Sequence, residues 1–251
     1  QNVFGASLVK EAQKDDKVLA VGSAYDNSNN QRLVVARYTV SGTLDKTFNG
    51  SGYSLLVPAG ISRTAGEDVA LQSDGKIVVV GSSFGVDGDQ DMFVARYNSN
   101  GTLDTSFGGG SGYVRLDVDG TASMTTESAS GLAIQPDGKI VVAGGVCRPE
   151  APLCVANVLV ARFNQDGTPD ETFGAAGFKM GAPLPETGYH SRGGGAVALQ
   201  SDGSIIVGGV DYWSFVIAND GSAINTDGHP FLMRFLPTPA SPLQAAGGVA
   251  H

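Results

Sequence analysis

One phrase recurs along this chain at intervals of about sixty residues, and self-similarity of that kind fixes an architecture before any single residue is weighed. Leu71-Gln72-Ser73-Asp74-Gly75-Lys76-Ile77-Val78-Val79-Val80-Gly81 returns as Ile134-Gln135-Pro136-Asp137-Gly138-Lys139-Ile140-Val141-Val142-Ala143-Gly144 and as Leu199-Gln200-Ser201-Asp202-Gly203-Ser204-Ile205-Ile206-Val207-Gly208-Gly209. A weaker copy runs from Ala12 to Gly22. A second block follows in each unit: Leu33-Val34-Val35-Ala36-Arg37-Tyr38, Met92-Phe93-Val94-Ala95-Arg96-Tyr97, Val158-Leu159-Val160-Ala161-Arg162-Phe163 and the degraded Phe231-Leu232-Met233-Arg234-Phe235. A third block, Gly-Thr-x-Asp-x-[Thr/Ser]-Phe, occupies residues 42–48, 101–107 and 167–173 and is missing from the fourth unit.

Short β-branched and apolar runs bounded by Asp-Gly or glycine clusters read as strands, and no window sustains a 3.6-residue period. The chain is therefore expected to be all-β. Asp-Gly between two apolar runs signals a hairpin, because both residues tolerate positive φ. The 36 glycines in 251 residues, about twice the usual share, supply such turns. One unit then reads as four antiparallel strands near residues 69–72, 76–81, 92–97 and 113–118. Four strands per unit, repeated radially, is the blade pattern of a β-propeller, which leaves only short sheet edges.

The set [Leu/Ile]-Gln-x-Asp-Gly-Lys-Ile-Val-Val-x-Gly, Val-Ala-Arg-[Tyr/Phe] and Gly-Thr-Leu-Asp-x-[Thr/Ser]-Phe resembles the delta-60 repeat of bacterial proteins over about residues 9 to 235. The resemblance implies an exported bacterial β-propeller and no defined activity. Two departures stand out: Asp15-Asp16 replaces Asp-Gly in the first unit, and the fourth runs into Leu236-Pro237-Thr238-Pro239. Residues 1–235 are assigned to the propeller, with units near 9–66, 67–129, 130–194 and 195–235, and residues 236–251 to a proline-rich tail. The four units are expected either to close as a four-bladed ring, with residues 1–8 supplying the outer strand that the last blade lacks, or to form part of a larger propeller.

Acidic residues outnumber basic ones by 25 to 16, and a net charge of −9 is the wrong sign for a surface that tracks phosphates. No nucleic acid partner is expected. No stretch approaches the ~18 apolar residues of a spanning helix, so no direct membrane insertion is expected either. Cys147 and Cys154, the two cysteines, stand at the ends of a short insertion. In an oxidising compartment they would form a disulfide; in the cytosol they would remain thiols, and a metal site would need further ligands nearby. Gln1 opens without a basic, apolar, small-residue leader, as an exported and trimmed chain would. The expected location is secreted, periplasmic or at the cell surface.

Antiparallel succession sorts the loops between two ends. The first-to-second hairpins and third-to-fourth loops share a uniform end; the second-to-third and unit-to-unit loops share a variable one, where function on a rigid scaffold is expected. At the variable end one aligned position is Tyr25, Phe84, Cys147 and Tyr212, with Trp213 beside the last. Such rings would stack a sugar, grip a protein, or pack their own loops against the neighbouring blade. Loops rich in Ser, Thr and Gly bring Arg63, Glu127, Tyr189, His190 and Arg192 to the same end. Asp87, Asp89 and Asp91, at alternate positions, could converge on Ca²⁺, although EF-hand spacing fails at Met92 and Asn98; no other cofactor is expected. The recurring Arg37, Arg96, Arg162 and Arg234, with Asp45, Asp104 and Asp170, read as blade construction, guanidinium to carboxylate, and Phe48, Phe107 and Phe173 as plugs between blades. His-Glu-x-x-His and Walker patterns are absent from the sequence. The expected function is a non-enzymatic binding or scaffold module that recognises a protein or glycan. A structural subunit of an extracellular or cell-surface assembly and a glycan-processing hydrolase are the alternatives.

Overall fold

Asp-Gly turns set the register of the hairpins they close. In the computed structural model, Gly75, Gly138 and Gly203 hold φ of 84, 82 and 81°. The aspartate before each accepts the N–H two residues on, from Lys76 at 3.0 Å, Lys139 at 3.1 Å and Ser204 at 2.9 Å. Asp16 takes φ of 59° at the matching place, in the left-handed region that aspartate tolerates better than most residues. The first unit departs from Asp-Gly, yet its first two strands still pair, with Ala12 opposite Val18.

The structure describes residues 3–12, 16–26, 28, 30–56, 58–85, 88–118, 125–150, 153–181, 189–217 and 223–236, without the side chains of 3–12, 148–150, 153–156, 189–194, 211–217 and 223–229. The first unit comprises β1 (Val3–Ala12), β2 (Val18–Tyr25), β3 (Gln31–Tyr38) and β4 (Tyr53–Leu56). The second comprises β5 (Ile61–Leu71), β6 (Ile77–Gly85), β7 (Gln90–Tyr97) and β8 (Tyr113–Leu116). The third comprises β9 (Thr126–Ile134), β10 (Ile140–Glu150), β11 (Leu153–Phe163) and β12 (Phe178–Met180). The fourth has β13 (Tyr189–Leu199), β14 (Ile205–Ile217) and β15 (Ala223–Phe235), and no fourth strand among the described residues.

Strands within a unit pair antiparallel in chain order, and single parallel bridges, Gln90 to Thr126 and Ala156 to Ser191, tie the second unit to the third and the third to the fourth. The first strands β1, β5, β9 and β13 pack successively against one another. The result is an all-β fold of propeller-like blades. Among the described residues no strand pairing links the fourth unit to the first, and no helix is long and apolar enough to cross a membrane.

The second and third blades are buried on both faces, which is why their strands read as continuous apolar runs rather than alternating ones. In the second unit Ile77, Val79, Phe93, Ala95 and Tyr97 pack toward the first unit, whereas Val78, Val80, Met92 and Val94 pack toward the third. Val141, Ala143, Val158 and Val160 in turn meet Ile205, Val207 and Phe235 of the fourth.

Two expectations need correction. Residues 1–8 do not furnish an outer strand for the last blade: Val3–Ala12 is the first strand of the first unit, with Val3 opposite Ala24 and Ser7 opposite Val21. The first strands are also much longer than the apolar run that announced them. Arg63, Glu127, Tyr189, His190 and Arg192 therefore lie on β5, β9 and β13 rather than in loops. The backbones of these first strands crowd the second strands beside them. The carbonyl oxygen of Ala65, turned outward beside a register shift in β5, would stand 1.9 Å from a Cβ on Gly81; that of Ser128 would stand 1.8 Å from one on Gly144. The glycine closing the repeated phrase is thus imposed by the strand beside it.

Candidate functional site

The uniform end is held by one ionic arrangement used three times. Arg37 Nε donates to Asp45 Oδ2 at 2.8 Å, Arg96 Nε to Asp104 Oδ2 at 2.7 Å and Arg162 Nε to Asp170 Oδ2 at 2.7 Å. Lys17, Lys76 and Lys139 reach the same oxygens from the neighbouring hairpin at 3.2, 2.9 and 2.8 Å. The second oxygen of each carboxylate accepts a hydroxyl, from Thr47, Ser106 or Thr172, at 2.7 Å. Each guanidinium lies over the phenylalanine that ends the third block, at 4.8, 4.7 and 4.6 Å from the ring centres of Phe48, Phe107 and Phe173.

The Thr47 hydroxyl, working against burial and joined by Lys17 and Arg37, holds Asp45 well below the usual carboxylate range. Burial alone would raise Asp104 and Asp170, but hydrogen bonds from Lys76 and Ser106, and from Lys139 and Thr172, outweigh it, and both are held far down. Carboxylates saturated with donors carry no proton to give and offer little to a substrate. Their chemistry is that of a lock.

The lock also crosses between units. Arg37 Nη1 donates to the Ser99 carbonyl at 2.7 Å and Arg96 Nη1 donates to that of Gln165. The amides of Asn49 and Gly108 donate to the Asn100 and Asp166 carbonyls at 2.7 and 2.8 Å. Gly101 and Gly167 lie against Phe48 and Phe107 of the preceding unit so closely that a Cβ would come within 2.8 and 2.7 Å of the rings. Arg234 behaves differently: its partner is Asp202, both at the surface. The lysines escaped the sequence reading, although a Lys two residues beyond each turn aspartate was the available signal.

Among the described residues the variable end has no such repetition. Tyr25 is 41% exposed at the tip of β2. On β5, the Arg63 guanidinium lies 4.3 Å from the Phe84 ring centre, and Ser62 Oγ donates to the carbonyls of Phe84 and Gly85. Asp26, held at about 2 chiefly by the Asn30 amide, accepts from Arg32 Nε at 3.0 Å, and Arg32 reaches across to the Ser62 carbonyl at 3.1 Å. Strand register sets Trp213 opposite His190 and Asp227, and Asp211 opposite Arg192 and His229, with Tyr212 between Ser191 and Gly228. The structure thus joins Arg63 to Phe84 and places His190, Arg192, Tyr212 and Trp213 on one strand pair, while Tyr25 belongs to a different unit. The side chains of those four residues, and that of Cys154, lie outside the described residues. Cys147, by contrast, is not a free thiol.

Of the three aspartates weighed for calcium, Asp87 lies outside the described residues. Asp89 and Asp91 instead meet Glu127, from the first strand of the next unit, with one carboxylate oxygen of each within 4.8 Å of the others. Asp91 is 1% exposed; Arg115 donates to its Oδ2, and its buried Oδ1 has no hydrogen-bond partner. Gln90 Nε2 spans the same junction to the Glu127 carbonyl at 3.3 Å. An oxygen-only set of this kind suits a hard cation such as Ca²⁺. No sequence spacing within one unit could have supplied Glu127, because the set is assembled across the junction.

Residues 13–48, 72–107 and 156–173 match a family model described as a domain of unknown function (DUF5122) beta-propeller, which supports a β-propeller repeat in this chain. No match was found among curated proteins. Among solved structures the chain is similar to a thermostable family-43 glycoside hydrolase, at 10% identity over 87% of this chain and 73% of that one, with a TM-score of 0.41. It is also similar to a GH43_12 protein retrieved from a capybara gut metagenome, at 11% identity and a TM-score of 0.41, over 91% of this chain but 44% of that one. The chain therefore spans less than half the length of the second relative.

Proposed function

We propose that this β-propeller chain is an exported, non-enzymatic binding module whose variable end recognises a protein or a glycan. The observation that carries the reading is the asymmetry of the two ends. Three units spend the same Arg, Asp, Lys and Phe on fixing one end, whereas at the other end the aligned position varies and the exposed Tyr25 and the Arg63–Phe84 pair present aromatic and cationic surface. A rigid scaffold with one invariant end leaves its other end free for recognition, and aromatic faces beside donors suit sugar rings and protein hot spots alike. A disulfide between Cys147 and Cys154 would fit export.

A glycan array, followed by calorimetry on the strongest hit, tests the reading. Tyr25→Ala and Trp213→Ala are expected to weaken binding at least tenfold with circular dichroism unchanged, since removing one aromatic anchor commonly costs about 2 kcal/mol. An array without signal from the native protein, or affinities that survive both substitutions, would remove the glycan reading and its proposed surface together.

A further inference from the structure

The junctions between units follow one rule, and the chain exposes both halves of another such junction. Two residues before each repeated arginine stand Val35, Val94 and Val160, all buried against the following unit, whereas Leu232 at the same position of the fourth unit is 80% exposed. Val210 and Pro230, opposite each other and two residues along from the Gly208–Leu232 pair, continue that face and are exposed as well. This is the face that in the other units covers a neighbour.

The complementary half lies on the first unit. Tyr97, Phe163 and Phe235, each following its arginine, are buried against the preceding unit, and Leu103 and Tyr113 pack beside Tyr97. Their counterparts in the first unit, Tyr38, Leu44 and Tyr53, instead line an open, mostly apolar cavity of about 150 Å³ together with Val34, Ala36 and Leu55. The polar side of the junction is open in the same way. Val40 occupies the position of Ser99 and Gln165, whose carbonyls take the arginine of the preceding unit, and it is 78% exposed. Gly42 matches Gly101 and Gly167, which lie against Phe48 and Phe107, yet nothing stands within 4 Å of a Cβ placed on it. Arg234, the donor that such a carbonyl would meet, is at the surface of the fourth unit.

We propose that the occupant of the first unit's open face is the fourth unit of a second copy of this chain, and that two copies close on each other through two such junctions. The inference goes beyond the binding reading and does not depend on it. Both faces are exposed on one chain, so the chain's own fourth unit does not cover its first, and the repeat register makes the two faces complementary in the way the internal junctions already are. A head-to-tail contact of this sort must close or run on as a filament; a two-fold closure satisfies every face. Lacking the third block, the fourth unit brings no phenylalanine plug, so this junction rests on the sheet faces and on Arg234.

Light scattering on the gel-filtered protein across a dilution series decides the matter. The native chain is expected at the mass of two chains, and Leu44→Glu and Leu232→Glu, both at exposed positions, are each expected to give the mass of one with an unchanged circular dichroism spectrum. Mixing the two variants is expected to restore the two-chain mass, because the intact fourth unit of one still meets the intact first unit of the other. The proposal is overturned by a one-chain mass for the native protein at every concentration, by a two-chain mass that either variant leaves intact, by a mixture that stays at one chain, or by a native mass above two chains.

Discussion

Gly81→Ala is expected to destabilise the protein by about 3 kcal/mol or more, although it adds only a single methyl and replaces a residue that ordinarily weakens a strand. Overpacking a buried site costs about 1–3 kcal/mol when side chains can shift, and more when they cannot. Here the obstacle is backbone: the Ala65 carbonyl oxygen would lie 1.9 Å from the new Cβ, and β6 is buried on both faces between the first and third units, so neither strand can retreat without opening a junction. For a chain of this length the cost corresponds to a melting temperature lower by roughly 6–12 °C. Gly144→Ala should behave alike, since the Ser128 oxygen would stand at 1.8 Å. Gly195→Ala is the control: its nearest neighbour would be 3.8 Å away, and the expected change is within about 0.5 kcal/mol. Differential scanning calorimetry of the three variants is the measurement, and a Gly81→Ala melt within two degrees of the native protein would refute the steric account of the motif.

That same glycine shows how far the sequence could be read. The period, the four-stranded unit and the two ends were all legible, because they depend on local signals: turn chemistry at Asp74-Gly75 and its copies, and apolar runs too short for helices. The first strands were not, since they are rich in Ser, Thr and Gly, the residues that otherwise mark loops. Arg63 and Glu127 consequently read as loop residues, whereas they lie on β5 and β9. The acidic set was half legible. Asp89 and Asp91 stand two apart where β7 begins, but Glu127 joins them only through the junction at Gln90 and Thr126, a contact that leaves no spacing to read. The repeated Arg and Asp showed as a pair, yet the lysine that completes each set arrives from the hairpin before it, and the carbonyl that the guanidinium also grips belongs to the next unit. Interactions between repeats are written at a distance of one period, where a single sequence carries no local signal.

Asp104→Ala carries the second large effect, expected at about 3 kcal/mol, because removing one partner from a buried ion pair leaves the other charge uncompensated. Arg96 and Asp104 are both buried, and the substitution deprives Arg96 and Lys76 of their shared oxygen and the Ser106 amide and hydroxyl of the other. Asp202→Ala, by contrast, removes a pair exposed at the surface and should cost about 1 kcal/mol or less. The same locks dictate the acid limb of stability. The folded pKa values of Asp45, Asp104 and Asp170 lie below the unfolded value of about 3.9, so the folded state binds fewer protons than the unfolded state across that interval. Their contribution is complete above the unfolded pKa and is lost progressively as pH falls below it. Asp26, at about 2, adds to the loss in the same direction. Glu67 and Asp68, raised by burial, oppose it, but Asp166 and Asp202 are lowered too, which leaves two carboxylates against six. Melting temperatures measured from pH 7 to pH 2 should therefore stay nearly level to about pH 5 and fall steeply below pH 4. The fall should be shallower for Asp104→Ala, which has already lost one lock; native and variant curves that run parallel through the acid range would show that the three carboxylates do not hold the blades together.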